Sequence, residues 1–371
     1  MTSDAITHRR ALHQIPELDD ELPETLAYVT RALEPLGAAL THPIKGSVCA
    51  YFDVGAKETV AFRADMDALP VTECTGLFFA SGKPGRMHAC GHDGHTAIAL
   101  GLAAETARLL REGVQLPRNV LFVFQPAEET TGGAERLVNA GIFEKYGVTR
   151  IFGLHLWPNL PEGTVWSRPG PLMARSNEVT LTVIGKSVHV SRAAEGHDAL
   201  RAALAWTQAT YDYVEGLPTN VRRTLQFGRM VSGTVRNAVA GEARVEGTLR
   251  SYEEETAQTI RETLVANAKT VAEATGCALD VTYSTGYPAV WNHEALFERV
   301  QADLGESRVG VLEEPVLAAE DFSFYQRRVP GVFFFLGVGA TAELHSPHFC
   351  WNDEVVIPAG IAFMKKMMFL P

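Results

Sequence analysis

The chain has 371 residues, of which 46% are hydrophobic and 21% are charged, and its formal net charge is -11 at pH 7. This length exceeds the usual size of one compact core and predicts two domains, while the composition lies outside that of disordered and membrane proteins. The negative charge argues against a nucleic-acid partner, which requires clustered lysine and arginine, and therefore favours small-molecule chemistry.

The first part of the chain alternates between a helical pattern and short apolar strands. A helix is predicted within residues 20–37, where DELPETLAYVTRALEPLG has helical spacing of apolar residues and ends at a proline and a glycine. The strand-like runs are TVAFRADMDALP, NVLFVFQPAEE, RIFGLHLWP and, much later, GVFFFLGVG. Such continuous apolar strands are typical of a parallel sheet with helices on both faces, where functional residues gather beyond the strand ends.

Residues 176–288 follow a different pattern. The strand EVTLTVIG, a helix, the strands TLQFGRMVSG and ARVEGTLRSY, a second helix and the strand ALDVTYSTG give the order β-α-β-β-α-β of a ferredoxin-like domain. Because GVFFFLGVG comes only afterwards, we expect an inserted α+β domain that interrupts an α/β domain formed by residues 1–175 and 289–371.

No pattern typical of membrane insertion or export is present. No apolar run approaches the roughly 20 residues that span a bilayer, and the start MTSDAITHRR lacks the apolar core of a signal peptide. We therefore expect a cytoplasmic protein without a membrane partner. The five cysteines are widely spaced and odd in number, so we expect mostly buried free thiols rather than a disulfide framework.

The motif MHACGHDGHTA at residues 87–97 concentrates one cysteine and three histidines. Cys90 and His92 stand at the start of a predicted helix, whose N-terminus would favour the thiolate form of the cysteine. Thiolate and imidazole bind borderline transition metals well. A lone C-x-H also arises by chance, so the interpretation depends on what the other strand ends supply.

Three other strand ends supply further candidate ligands, which are Glu128, Glu129, His155, His345 and His348. Adjacent glutamates usually mark a solvated face, but these two follow an apolar strand, where two carboxylates without nearby cations are costly to desolvate. If the strands are parallel, all of these side chains meet at one edge of the sheet and predict a pair of metal ions. One glutamate can then bind metal while its neighbour transfers protons.

Seven motifs resemble, in order, the aminoacylase and hippurate hydrolase family of dinuclear metallo-amidohydrolases. They are RADMDALP, MHACGHDGHTA, FQPAEETTGGA, GLHLWP, RNAVAGEARVEGTLR, EDFSFYQRRVPGVFFFLGVG and LHSPHF. Relatives of that family include plant auxin-conjugate hydrolases and bacterial N-acetyldiaminopimelate deacetylases. The resemblance covers nearly the whole chain and implies a zinc-peptidase-like catalytic domain interrupted by a lid domain, through which we expect a homodimer to form.

The resemblance also implies roles for individual residues. The implied ligands of two divalent ions are Cys90, His92, Glu129, His155 and His345. The ions would be zinc, manganese, cobalt or nickel, and Cys90 would bridge them. Glu128 matches the general base, and Asp67 matches an outer-shell acid that orients a ligating histidine. Packing or outer-shell roles fit His88, His95 and His348 at least as well as ligation does.

In the lid, His189 of GKSVHVS matches a histidine that reaches a neighbouring active site and stabilises the oxyanion. Asn237 and Arg250 match residues that touch substrate, and Arg250 is the candidate cation for a substrate carboxylate. The chain departs from the usual lid pattern, two glycines and a second histidine, at Ser187, Val188 and Ala194. These departures leave the acyl preference and the lid geometry open.

We therefore expect hydrolysis of the amide bond of an N-acyl amino acid, with an N-acetyl group as the first choice. QPAEETTGGA also suggests a dedicated N-acetyldiaminopimelate deacetylase of lysine biosynthesis, and a hippurate or auxin-conjugate hydrolase would need an aromatic acyl pocket. A non-catalytic binding protein is the alternative from another class. The presence of Glu128 together with every ligand position argues against it.

Overall fold

The computed structural model describes residues 2–305 and 309–371, which divide into two compact units. The first unit contains residues 2–172, 290–305, 309–315 and 321–371, and the second contains Met173–Ala289 and Val316–Glu320. Within these described ranges, no helix is long and apolar enough to cross a membrane. All five cysteines are free, and three of them are buried, as expected from their spacing.

The helices and strands are numbered in chain order. The helices are α1 Thr2–His13, α2 Pro23–Leu33, α3 His92–Arg111, α4 Gly133–Asn139, α5 Ile142–Tyr146, α6 Ala199–Gly216, α7 Glu254–Thr275, α8 Glu294–Leu304, α9 Ser323–Gln326 and α10 Asp353–Phe369. The strands are β1 Ala39–Thr41, β2 Val48–Phe52, β3 Thr59–Asp65, β4 Asn119–Gln125, β5 Val148–Trp157, β6 Val165–Ser167, β7 Gly170–Met173, β8 Arg175–Ile184, β9 Arg223–Ser232, β10 Glu242–Ser251, β11 Ala278–Tyr283, β12 Val290–Asn292, β13 Val309–Val311 and β14 Gly331–Gly337. Short 3-10 helices span Glu34–Leu36 and Val190–Glu195.

The first unit is built on an eight-stranded sheet in the order β1-β2-β4-β3-β5-β14-β6-β13. The four strands predicted from apolar runs, β4, β3, β5 and β14, are parallel neighbours, as expected. The outer strands, for which the sequence analysis made no prediction, make the sheet mixed, because β1 pairs with β2, β2 with β4, and β14 with β6 in antiparallel orientation. β1 and β2 are joined by only residues 42–47, and a parallel crossover needs a connection of about a dozen residues or more.

The sheet is flanked by helices and lies at the centre of the hydrophobic core. β3, β4 and β14 are buried along their whole length. On one face, Phe62, Phe122 and Phe334 join a core that includes residues of α1, α3 and α10. The intervening residues are buried as well, which explains why these strands read as continuous apolar runs rather than as alternating patterns.

The second unit has the predicted β-α-β-β-α-β order, formed by β8, α6, β9, β10, α7 and β11. Its strands lie in the order β11-β8-β10-β9, and every neighbouring pair is antiparallel. The side chain of Asp198 accepts hydrogen bonds from the backbone N–H groups of Leu200 and Arg201 and so caps α6. Trp206 is fully buried, and its indole N–H donates to the carbonyl of Leu264 in α7 at 3.0 Å.

The second unit extends slightly past the predicted boundaries at each end and also includes one later segment. Val316–Glu320 groups with the second unit, whereas the sequence interpretation assigned it to the first domain. Val316 forms a bridge with Met173, and the N–H of Ala174 donates to the carbonyl of Ala318 at 2.8 Å. A segment this short has no pattern of its own, and its partner lies far away in the chain.

Candidate metal centre

The motif MHACGHDGHTA forms the turn into α3. Gly91 has a φ of 85°, a left-handed conformation that glycine adopts without strain. A Cβ added there would also lie 3.0 Å from the Leu156 side chain. Cys90 and His92, on either side of this glycine, are both buried, and their ligand atoms lie within 4.8 Å of each other.

The parallel strands bring the remaining candidate ligands to the same place. His155 lies near the end of β5, and its Nε2 is 3.3 Å from Cys90 Sγ. Glu129 follows β4, and its Oε1 is 3.3 Å from Nε2 of His345, which follows β14. The structure therefore brings together all five of the residues expected to bind metal, and Glu128 lies beside them.

Two groups of candidate ligand atoms overlap at Cys90. Cys90, His92 and His155 form one group, and Cys90, Glu129 and His345 form the other, with the atoms of each group within 4.8 Å of one another. His92, Glu128 and Glu129 form a third group. A cysteine shared between two adjacent groups is in the position that a bridging ligand between two ions would need.

The residues of this cluster fit a divalent metal. Both ring nitrogens of His92 are buried and have no hydrogen-bond partner among the described residues. Nδ1 lies 3.5 Å from Asp67 Oδ1, and Nε2 lies 3.6 Å from Asp65 Oδ2. Buried polar atoms without partners are costly, and a cation would satisfy the unprotonated nitrogen of the ring. Thiol, imidazole and carboxylate donors together suit borderline transition metals.

The charged side chains of the cluster also favour a bound cation. Burial raises the pKa of the Cys90 thiol well above its usual value, and the carboxylates of Glu129 and Glu128 raise it further. The expected preference for thiolate at the helix N-terminus is therefore outweighed in the metal-free protein. For His92, burial lowers the pKa, but Asp65 and Asp67 outweigh it and raise the pKa to about 10. The protons held by Cys90 and His92 compensate for a local excess of carboxylates.

Asp67 contacts the glutamate loop as well as His92. Its Oδ1 accepts the backbone N–H of Glu128 and its Oδ2 accepts that of Glu129, each at 3.0 Å. Ala127, the preceding residue, has a φ of 59°, which is unusual for alanine and turns the chain sharply after β4. A carboxylate that binds both amides holds the two glutamates in one fixed arrangement.

The sequence interpretation missed residues that support this loop from elsewhere in the chain. The carbonyl of Asp19 accepts the N–H of Ala127 at 3.1 Å, and its carboxylate accepts the hydroxyl of Thr130 at 2.6 Å. No local pattern around Asp19 indicates this contact. The glycine pair in TTGGA was a usable signal, because a Cβ at Gly133 would lie 1.9 Å from the carbonyl oxygen of Pro126.

The three histidines without a firm assignment have different surroundings. His95 is bonded to Asp65 at 2.6 Å and groups with Asp65 and His92. His348 is exposed, and its Nδ1 lies 3.0 Å from the carbonyl oxygen of Cys74. His88 is buried, its ring nitrogens have no hydrogen-bond partner among the described residues, and burial lowers its pKa to about 3. Neither His88 nor His348 belongs to any ligand group found in the described ranges.

The expected lid residues all lie in the second unit. His189 is exposed, and its Nδ1 accepts the backbone N–H of Ser191 at 3.2 Å, so that the neutral ring carries its proton on Nε2. Asn237 is also exposed, and its backbone carbonyl accepts the N–H of Val190 at 3.0 Å. Arg250 lies on β10, and its Nη1 is buried without a hydrogen-bond partner in the part of the chain that the structure describes.

The altered positions of the lid motif pack within the same unit. Val188 accepts a backbone hydrogen bond from Val239 at 2.9 Å. A Cβ added at Gly196 would lie 2.7 Å from a Val188 methyl group, so Val188 occupies space beside this loop. Ser187 and Ala194 are exposed.

Comparison with known proteins identifies the family. Residues 61–369 match the family model described as Peptidase family M20/M25/M40. The chain belongs to the M20/M25/M40 peptidase family. An uncharacterized hydrolase of Staphylococcus epidermidis is 36% identical over 362 residues, which cover 94% of each chain.

Two solved structures are similar to this chain over nearly its whole length. A putative aminohydrolase from methicillin-resistant Staphylococcus aureus has a TM-score of 0.91 at 29% identity, covering 100% of this chain and 97% of the other. A Bacillus subtilis protein, described as a dinuclear metal-binding peptidase of the M20 family, has a TM-score of 0.85 at 30% identity, covering 99% and 97%. This chain is therefore an M20 hydrolase that has the fold of a dinuclear metal-binding peptidase and carries a candidate metal site.

Proposed function

We propose that this M20 hydrolase cleaves the amide bond of an N-acyl amino acid, most simply an N-acetyl amino acid, to a carboxylate and a free amino acid. The observation that carries the proposal is the position of Glu128. It lies beside two overlapping groups of metal-binding side chains, in a loop held by Asp67. A carboxylate that can exchange protons next to a metal centre is the requirement for hydrolysis of an unactivated amide.

Five residues would hold two divalent ions, and they are Cys90, His92, Glu129, His155 and His345. Cys90 belongs to both ligand groups and would bridge the ions. When bound, such ions act as Lewis acids toward a carbonyl and lower the pKa of water. Zinc, manganese, cobalt and nickel all suit these donors.

Glu128 is proposed as the general base and then the general acid. Its carboxylate would take a proton from the attacking water and later deliver a proton to the leaving amine. It is only 6% exposed, so bulk water competes little for this proton. Asp67 would keep the carboxylate in place by holding the amides of both Glu128 and Glu129.

His189 and Arg250 are proposed to bind the substrate. The Nε2–H of His189 is suited to a developing oxyanion because Nδ1 is already the acceptor for Ser191, and loss of one such donor costs roughly 3 kcal/mol in other enzymes. The unpartnered Nη1 of Arg250 is suited to the free carboxylate of an amino acid, because a buried guanidinium is stabilised by an anion. Asn237 is proposed as a further substrate contact on the basis of the family resemblance.

A panel of substrates tests this proposal. Metal-free protein would be loaded with one defined metal, and hydrolysis of N-acetyl amino acids, N-benzoyl amino acids and free dipeptides would be compared. We expect the highest kcat/KM on N-acetyl amino acids. Activity confined to N-acetyldiaminopimelate would identify a dedicated deacetylase, and faster cleavage of benzoyl substrates would identify a hippurate-type enzyme. Cleavage of dipeptides alone, or of nothing, would contradict the proposal.

We also propose that the protein is a homodimer that pairs through the second unit. Leu200 and Leu204, one turn apart on α6, are 40% and 52% exposed. β9 lies at one edge of the four-stranded sheet, where Val231 is 51% exposed. Exposed apolar side chains and an open strand edge are features that a partner subunit would cover.

In this dimer, His189 would complete the site of the partner subunit, and complementation can test that arrangement. A Glu128→Gln chain and a His189→Ala chain should each be nearly inactive. A mixed dimer would contain one site with both native residues, so mixing and refolding the two variants should restore a fraction of the wild-type activity. Activity equal to the sum of the two separate variants would mean that each chain uses its own His189.

A further inference from the structure

Both ring nitrogens of His95 are engaged in hydrogen bonds inside the first unit. Nδ1 lies 2.6 Å from Asp65 Oδ1, and Nε2 lies 2.9 Å from the backbone nitrogen of Leu156. A backbone N–H can only donate, so Nε2 of His95 must be the acceptor and the ring proton must sit on Nδ1. In the bond between Nδ1 and Asp65, His95 is therefore the donor. No lone pair of this ring is left for a metal ion.

The backbone of Leu156 also binds a second histidine, through the carbonyl of the next peptide group. The carbonyl oxygen of Leu156 lies 2.7 Å from Nδ1 of His155. A carbonyl can only accept, so His155 carries its proton on Nδ1 and presents an unprotonated Nε2. That Nε2 is the atom 3.3 Å from Cys90 Sγ. The N–H and the carbonyl of Leu156, which belong to successive peptide groups, are thus each bonded to an imidazole ring.

Asp65 is itself anchored by a buried cation. Arg63 donates from Nη1 to Asp65 Oδ2 at 2.6 Å and from Nη2 to Asp321 Oδ1 at 2.8 Å. All three side chains are at most 1% exposed. Burial would raise the pKa of Asp65, but Arg63, with His92 and His95, holds it well below its usual value. An ionised, immobile Asp65 fixes the orientation of the His95 ring.

We propose that His95 is a positioning residue of the metal centre, which fixes the tautomer and the ring orientation of His155 through the backbone of Leu156. The inference rests on the proposed role of His155 as a ligand. A ligating histidine is usually oriented by a partner on its other ring nitrogen, and loss of such support weakens metal binding. Here the partner is the backbone carbonyl of Leu156, and His95 accepts the backbone N–H of the same residue, in the peptide group that follows His155.

His88 provides a matched control. It lies in the same motif and is 2% exposed, as is His95. Its ring nitrogens have no hydrogen-bond partner among the described residues. Replacement of His88 therefore tests the loss of a buried imidazole from this turn without the loss of the bonds to Asp65 and Leu156.

Two substitutions at His95 separate its two bonds. In His95→Gln, the longer side chain can place an amide oxygen where Nε2 accepts the N–H of Leu156. In His95→Asn, the amide nitrogen can replace Nδ1 and donate to Asp65, but the N–H of Leu156 loses its acceptor. The inference requires the bond to Leu156, so the Asn variant should be the weaker metal binder although it is also a conservative change.

Zn²⁺ alone is the probe, added to metal-free full-length protein in competition with a chromophoric chelator. We expect His95→Asn to weaken Zn²⁺ binding by about 10- to 100-fold, the usual effect of losing outer-shell support. His95→Gln and His88→Gln should stay within about threefold of wild type on the same scale. Thermal unfolding of each metal-free variant checks that it is folded. Histidine ring ¹⁵N shifts of the wild-type protein should show Nδ1–H tautomers for both His95 and His155.

Wild-type Zn²⁺ affinity in a folded His95→Asn protein would overturn the inference. An equal loss in His88→Gln would overturn it too, because packing would then explain both effects. So would an Nε2–H tautomer of His95 in the wild-type spectrum, a result that does not depend on any variant. Tight Zn²⁺ binding without hydrolysis of any N-acyl amino acid would refute the proposed function and leave this test valid.

Discussion

Replacing Glu128 with Gln should lower kcat by roughly two orders of magnitude or more, while the metal content of the protein stays the same. Glutamine keeps the size of the side chain and most of its hydrogen bonding but cannot take a proton from water. The backbone N–H of Glu128, which Asp67 accepts, is unaffected by the change. The measurement is steady-state hydrolysis of an N-acetyl amino acid, with the metal content determined by elemental analysis.

Glu135→Gln is the matched control for this prediction. Glu135 lies in the nearby helix α4 and is exposed, so the same change of charge there should leave kcat near that of wild type. Glu129→Gln should differ from both, because Glu129 is a proposed ligand and its loss should release metal. Near-normal turnover by a metal-replete Glu128→Gln protein would remove Glu128 from the mechanism.

Cys90→Ser should bind fewer metal ions per chain than the wild-type protein. Cys90 belongs to both ligand groups, so its loss removes a donor from each proposed ion position. A serine hydroxyl is a harder and much weaker ligand for borderline metals than a thiolate. We expect elemental analysis of the purified variant to show a lower stoichiometry, accompanied by loss of most of the activity.

The pH dependence of metal binding gives Cys90 a second, independent test. Burial and the nearby glutamates raise the pKa of this thiol, so the metal-free protein holds a proton that an ion must displace. Metal affinity should therefore rise with pH, and Cys90→Ser should reduce that slope by about one proton. The exposed Cys74 is the control, and Cys74→Ser should leave both stoichiometry and slope unchanged. An unchanged stoichiometry in Cys90→Ser would show that Cys90 only packs.

The four central strands and the elements of the second unit could be predicted from the sequence because each has a strong local pattern. β3, β4, β5 and β14 are buried on both faces, so their apolar runs needed no tertiary information. In the second unit, the alternating burial of β8 and the capped start of α6 are likewise local signals. The direction of the outer strands was not readable, because β1 and β6 have only three residues each.

For the candidate site, the sequence alone determined which chemistry was available, and the tertiary structure decided how it is arranged. The residue types at Cys90, His92 and Glu129, in motifs that resemble a known family, were sufficient to predict a metal centre. Only the fold places Cys90 in two ligand groups and raises its thiol pKa through burial and neighbouring carboxylates. Burial and contacts between distant segments control both properties, and a local sequence pattern contains neither. For the same reason, the hydrogen bonds of His95 with Asp65 and with the backbone N–H of Leu156 could be seen only in the folded chain.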